Sequence, residues 1–375
     1  MFENCFSQAA YTLASHYSMF SGLYVDTHKV IWEHNVRVLH PRHKTLTEYL
    51  KAAGYRTVWM ATTTSDMLSL SHGLGRGFDE LHDTRLEMGA GLKKVKTLLK
   101  TLPGKQPFFL FLHTYMVHDP YHPVAPYDHV FDPGFKRRIE LDEEKLFRLY
   151  PPRDSEEAKL PRETRIRNNY KRQFDLKKKA DFEHFVSLYD GGIRSADEAM
   201  KQIFARLREL GLYESSLIVV TSDHGESFGR YGYFFHYTPT HEETHVPLIM
   251  RIPGAKPARV SQTALGIDIL PTILDAVGIE PGADARLEGR SLLPALQGKA
   301  IARDEYLYSH GLEHSDAIWS PQWKLVHGHP QLRDIRLYDL KADPLEHRDL
   351  ARAHPELVTK LQGALEAFRL NRLDR

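Results

Sequence analysis

From Phe182 onward apolar residues return every three or four positions, through Phe185, Tyr189, Ile193 and on to Leu207, before Gly211. That period is the stripe of an amphipathic helix. Thr45-Leu-Thr-Glu48 has the spacing of a capping box, so a helix starts there and stops near Gly54. Tyr55 to Ala61 then reads as a strand. Residues 107–113, PFFLFLH, and 217–222, LIVVTS, are unbroken apolar runs. Runs of that length suit strands buried on both faces of a sheet. Residues 247–252, PLIMRI, predict a further strand, and Ile269 to Val277 a helix. Beyond about residue 300 the pattern shortens. Tyr306 to Ser309, Ala317 to Trp319 and Trp323 to His327 predict short antiparallel strands, and Pro355 to Leu370 a last amphipathic helix.

This order predicts an α/β fold: a mostly parallel central sheet flanked by helices over 1–300, then a smaller α+β subdomain over 301–375. Residues 128–180 interrupt the first part. They are rich in charge and proline and poor in aliphatics, and read as a solvated excursion, with a substrate-facing lid as the alternative.

Composition changes this picture only by exclusion. Fifty Lys and Arg against 49 Asp and Glu give no electrostatic reason to expect nucleic-acid or membrane binding. The single Cys5 excludes an internal disulfide framework and a cysteine-built zinc site. No apolar run is long enough to span a bilayer, and no secretory signal opens the chain, so localisation is left open. The 22 histidines are the unusual feature, because several stand beside Asp, Pro and Gly rather than in apolar stripes.

Four segments carry candidate chemistry. Ser222-Asp223-His224-Gly225-Glu226 follows an apolar strand, at the carboxyl end where ligands gather in open α/β sheets. There Asp223 and His224 offer an oxygen and an imidazole nitrogen to a divalent cation, and Gly225 allows close backbone approach. His113 to Tyr121 follows the other apolar strand. In it His118 either donates to an anionic oxygen or a leaving group, or is simply part of a loop in which Asp119 turns the chain before Pro120. In the third, Phe235 to Pro247, His236 and His241 are candidate anion or metal contacts. His241-Glu-Glu-Thr-His245 has the outline of a zinc-protease helix. The strand that begins almost at once at VPLIM rules that reading out. The fourth, Thr12 to Tyr24, crowds hydroxyl residues ahead of Gly22 and is by itself only a capping or turn signal.

Taken in order, these segments resemble the sulfatase family of the alkaline-phosphatase superfamily. Ser21-Gly22-Leu23-Tyr24 is similar to the family's TGLYP, and ten positions before Gly22 stands Thr12. Thr12-Leu-Ala-Ser-His16 is similar to a sulfatase-like branch reading WTLPSH. Gly54 to Thr57, Arg76 to Asp79, Asp268 to Thr272, Gly289 to Leu292 and Tyr338 to Pro344 extend the likeness over nearly the whole chain. The resemblance implies an alkaline-phosphatase-like fold and one divalent metal held by Asp223, His224 and Thr12. Calcium, magnesium or manganese would suit it, with zinc as a further choice. It makes Thr12 the nucleophile, places His118 and His236 on the transferred group or leaving group, and puts His16 where classical sulfatases orient the nucleophile.

The implied substrate is a small-molecule, glycan or lipid ester of sulfate or phosphate. Two departures qualify the likeness. Thr12 cannot become the formylglycine of classical sulfatases; a threonine beside a metal is the arrangement of phosphodiesterases and phosphotransferases. The family also opens with a buried strand ending in metal-binding Asp residues, and Phe2-Glu3-Asn4 matches the segment after it. A sheet without that strand is expected to contain a gap. The functions to separate are therefore an ester hydrolase, a phosphotransferase and a non-catalytic relative.

Overall fold

The two unbroken apolar runs become strands that lie between two layers of helices. In the computed structural model, residues 1–31, 38–61, 68, 70–84, 86, 88–104, 106–137, 168, 171–229, 234–312, 315–327 and 335–372 are described. The strands are β1 (Phe2–Phe6), β2 (Arg56–Ala61), β3 (Glu80–Asp83), β4 (Phe108–Leu112), β5 (Ile218–Thr221), β6 (Ser227–Phe228), β7 (Phe234–Phe235), β8 (His245–Arg251), β9 (Val260–Leu265), β10 (Leu307–His310), β11 (Asp316–Trp319), β12 (Trp323–His327) and β13 (Ile335–Asp339). The helices are α1 (Thr12–Ser21), α2 (Val25–His28), α3 (Leu46–Ala52), α4 (Ala90–Leu98), α5 (Lys179–Glu209), α6 (His241–Thr244), α7 (Ile269–Ala276), α8 (Leu293–Leu296) and α9 (Pro355–Leu370).

Strands β3, β2 and β4 form one parallel sheet, with β2 in the middle. A second sheet has the order β5-β8-β1-β9, in which β1 and β9 are parallel and β8 alone runs against its neighbours. The expectation of a mostly parallel sheet holds, with β8 as its exception. Alternate residues of the strands face opposite layers. Phe109 and Phe111 pack with α1, α3 and α7 around Trp59 and Phe20, whereas Phe108, Leu110 and Ile218 pack with α4 and α5 around Val95, Ile203 and Leu207. Burying each such side chain fully is worth about 1.5–3 kcal/mol, so both layers hold the strands.

Among the described residues no strand joins β4 to β5, and a cleft of about 1730 Å³ runs between them through both layers. A gap in the sheet is what the family resemblance implied, and this is where it lies. The last four strands form an antiparallel meander, β10 to β13, backed by α9. Its β10 reaches the first part through Ala9, which bridges to His310, and through the Ser309 hydroxyl, which donates to the Ser7 carbonyl at 2.9 Å. The charged stretch at 128–180 falls largely outside the described residues. Among the described residues no helix is long and apolar enough to cross a membrane.

Candidate active site

Helix α1 is buried along its whole length, and Gly22 closes it in the left-handed region, with φ 70° and its N–H bonded to the Ser18 carbonyl. That cap fixes where the other end of the helix points. Thr12 occupies its first turn, and His16, four residues on, lies on the same face. The Asp223-His224 segment leaves β5 and faces this end. The Ser15 hydroxyl donates to the Asp223 carbonyl at 2.7 Å, and the Ser222 hydroxyl to the His224 carbonyl at 2.6 Å. Gly225 is required by close approach: its N–H donates to the Glu243 carbonyl at 2.8 Å, and a Cβ there would stand 2.1 Å from the Glu242 carbonyl oxygen.

The tautomers follow from the acceptors, because a carbonyl oxygen can only accept. His224 Nδ1 lies 2.9 Å from the Gly225 carbonyl and so carries the proton. Its Nε2 is then the acceptor for the Thr12 hydroxyl, 3.2 Å away. His16 Nδ1 donates to the Thr12 carbonyl at 2.8 Å and lies 3.6 Å from Asp223 Oδ2. His118 Nδ1 donates to the Asp119 carbonyl at 2.7 Å. His236 Nδ1 is 2.6 Å from Glu226 Oε1, and the other oxygen of Glu226 accepts from the Tyr121 hydroxyl at 2.5 Å.

These groups form one continuous cluster. The His224 and His236 rings are 4.2 Å apart, and those of His236 and His118 5.2 Å apart. One ligand atom from each of His16, His113 and Asp223 falls within 4.8 Å of the others, and the same is true of His118, Asp119 and His236, and of His224, Glu226 and His236. Burial works against the Asp223 carboxylate, but the imidazoles of His224, His16, His113 and His236 outweigh it and hold its pKa below the usual range. Burial lowers His16, and takes His113 down to about 3 with help from His16. Both shifts favour the neutral imidazole. Burial, and then the Asp119 charge, push Glu226 up to about 7.

Six of the seven residues singled out from the sequence, Thr12, His16, His118, Asp223, His224 and His236, are in this cluster. His241 is not; it stacks on His245 and meets the Phe6 ring edge-on, and its backbone N–H donates to Glu346. His113, Glu226 and Tyr121 join the cluster without having been singled out. Position was the available signal: His113 is the first residue past β4, as Asp223 nearly is past β5.

A divalent cation can be tested against this geometry. Two ligands about 2.0–2.2 Å from one tetrahedral ion stand roughly 3.3–3.6 Å apart. Thr12 Oγ1 and Asp223 Oδ2 lie 3.2 and 3.5 Å from His224 Nε2, separations of the size that ligands of one ion show.

Comparison with known proteins gives the same direction. The family profile described as Sulfatase matches residues 1–279, and one described as N-sulphoglucosamine sulphohydrolase, C-terminal, matches residues 229–371. The N-acetylglucosamine-6-O-sulfatase of Bacteroides thetaiotaomicron is 29% identical over 53% of this chain and 40% of its own length. Bovine arylsulfatase K is 24% identical over 98% of this chain and 74% of its own. The match thus spans well under two thirds of the bacterial relative. The solved phosphonate monoester hydrolase of Silicibacter pomeroyi superposes with a TM-score of 0.73 at 22% identity, over 100% of this chain and 88% of that one.

Proposed function

The chain belongs to the sulfatase family, and from that premise we propose that it is a metal-dependent hydrolase of sulfate or phosphate esters with Thr12 as its nucleophile. The observation that carries the reading is the Thr12 hydroxyl, 3.2 Å from His224 Nε2, with Asp223 3.5 Å beyond. Asp223, His224 and Thr12 would hold the cation, with His16 and His113 against the same carboxylate. Bound there, a cation lowers the pKa of the hydroxyl and stabilises charge on the transferred group. The His224 imidazole among the ligands, with those of His16 and His113 beside the carboxylate, favours a nitrogen-tolerant ion such as zinc or manganese over calcium, which prefers an all-oxygen shell.

The remaining side chains have separate tasks. Asp223 fixes the site's negative charge. His16 packs behind Thr12 and ties the first turn of α1 to Asp223. Glu226 accepts from His236 Nδ1, which stabilises a second proton at Nε2; that proton can go to the oxygen of the leaving alcohol. His118, with Nδ1 held by the Asp119 carbonyl, presents Nε2 to a non-bridging oxygen of the ester. The names of the relatives suggest a panel of 4-nitrophenyl sulfate, 4-nitrophenyl phosphate, a phenylphosphonate monoester and N-acetylglucosamine-6-sulfate. At least one should be hydrolysed, the activity should vanish on chelation, and zinc or manganese should restore it. No turnover of any of them with any divalent metal would reject the reading.

A further inference from the structure

We propose that Glu243 is a positioning residue, which holds the Glu226–His236 pair in line for the proton transfer to the leaving alcohol; the proposal rests on the acid role given to His236 above. Glu243 lies in α6, is buried, and touches both segments that carry the pair. On the Glu226 side its carbonyl accepts from the Gly225 N–H at 2.8 Å, and its Oε1 from the Ser227 hydroxyl at 2.6 Å. On the His236 side its Oε2 accepts from the N–H of Tyr237 and, at 2.7 Å, from that of Thr238. One residue thus binds the neighbours of Glu226 on both sides and the two residues that follow His236. Between those anchors Glu226 Oε1 and His236 Nδ1 meet at 2.6 Å.

Two features show why the pair needs such a clamp. His236 follows β7, whose ladder with β6 joins only Ser227 to Phe235 and Phe228 to Phe234. A two-stranded hairpin is marginal by itself, so this ladder does not fix the imidazole. Phe235, immediately before His236, stands at φ 75°, a backbone conformation uncommon for a bulky side chain. Such a conformation persists only where its surroundings over-determine it, and the amides held by Glu243 begin one residue past His236. Helix α6 is itself anchored: the Ser7 N–H donates to the Thr244 carbonyl at 2.8 Å, and the His241 N–H to Glu346 Oε2 at 3.0 Å. None of the three groups bonded to the Glu243 carboxyl is a cation. Burial pushes its pKa up to about 8, so at neutral pH the neutral acid prevails. Glu243 therefore contributes hydrogen bonds rather than charge, and Gln can replace it: the amide oxygen accepts from the two N–H groups, and the NH2 donates to the Ser227 hydroxyl.

The first test needs no turnover. In proton NMR of the whole chain, the short His236 Nδ1–H bond to Glu226 should give a downfield imidazole resonance, assigned by its loss in His236→Asn. Glu243→Ala should shift or abolish that resonance with near-UV circular dichroism unchanged, and Glu243→Gln should keep it. If Glu243→Ala does not fold, Glu243→Asp, too short to reach Ser227 and both amides together, takes its place with the same expectation. An unaltered resonance in the folded Ala or Asp variant would overturn the proposal, as would equal loss in Gln, or no such resonance in the parent chain. The second test is kinetic. Glu243→Ala should lower kcat at least about tenfold for esters of poorly acidic alcohols and less than about threefold for nitrophenyl esters, and should add no such selectivity to Glu226→Ala. Equal losses for both kinds of ester would reduce Glu243 to a merely structural role and overturn the proposal. A parent chain that hydrolyses no ester would reject the hydrolase reading, while the resonance still decides whether Glu243 positions His236.

Discussion

At the scale of single residues, the site rests on side chains whose second nitrogen or oxygen is already committed. Glu226 is the clearest case, because it accepts from both His236 and Tyr121. Replacing Glu226 with Ala should lower kcat about 10–100-fold for esters of poorly acidic alcohols, and much less for nitrophenyl esters, which need no acid. Glu226→Gln, which still accepts from His236, should retain more activity than Ala. Equal losses across leaving groups would remove His236 from the acid role. Asp223→Ala should reduce bound zinc or manganese, measured by mass spectrometry of the purified protein, at least about tenfold. Undiminished metal would place the ion elsewhere. The sequence made Asp223, His224 and His118 visible because each lies just past an apolar strand. It did not make Glu226 visible, since its partners Tyr121 and His236 are 105 and 10 residues away. Nor did it select His113, because a histidine ending a strand is ordinary until a second strand brings Asp223 to it.

At the scale of elements, the strongly periodic segments were legible and the wholly buried or short ones were not. The α3 capping box is present, α5 ends before Gly211, and β12 and α9 have the expected bounds. Helix α1 gave no stripe because all ten of its residues are buried, and amphipathic periodicity needs a solvated face. Strands β1 and β9 were missed because Glu3, Asn4 and the Ser-Gln-Thr of β9 dilute a pattern that only sheet pairing completes.

Two tests belong here. Gly77 has φ 84°, and a Cβ would stand 2.5 Å from the Glu48 amide nitrogen in the first turn of α3. Gly77→Ala should cost about 1–3 kcal/mol in urea denaturation; an unchanged midpoint would contradict the contact. His28, at the end of α2, accepts from the Val30 N–H through Nδ1, so its Nε2 donates to the Ser18 hydroxyl. Burial lowers its pKa to about 3, against 6.5 for an exposed imidazole. The unfolded chain therefore binds the proton first. Stability from this site is complete above about pH 6.5 and falls as the pH drops toward 3, by up to about 1.4 kcal/mol per unit. His28→Gln should flatten that slope, and an unchanged slope would show that other groups set it.

At the scale of the whole molecule, the fold class was legible from the alternation of strands and helices, with the exception of β8, whose direction no local pattern encodes. The division of the central sheet by a cleft could be expected from the sequence, but its depth through both helical layers needed the structure. The proposed function centres on one place, where the start of α1 meets the ends of β4 and β5. The most direct test of that account is the steady-state turnover of the best ester in the panel by Thr12→Ala and Thr12→Ser, each loaded with the same metal as the parent chain. The account predicts that metal-loaded Thr12→Ala loses at least about a thousandfold in kcat, and that Thr12→Ser, which retains a hydroxyl, stays within about tenfold. A Thr12→Ala variant that turns over within tenfold of the parent would contradict it.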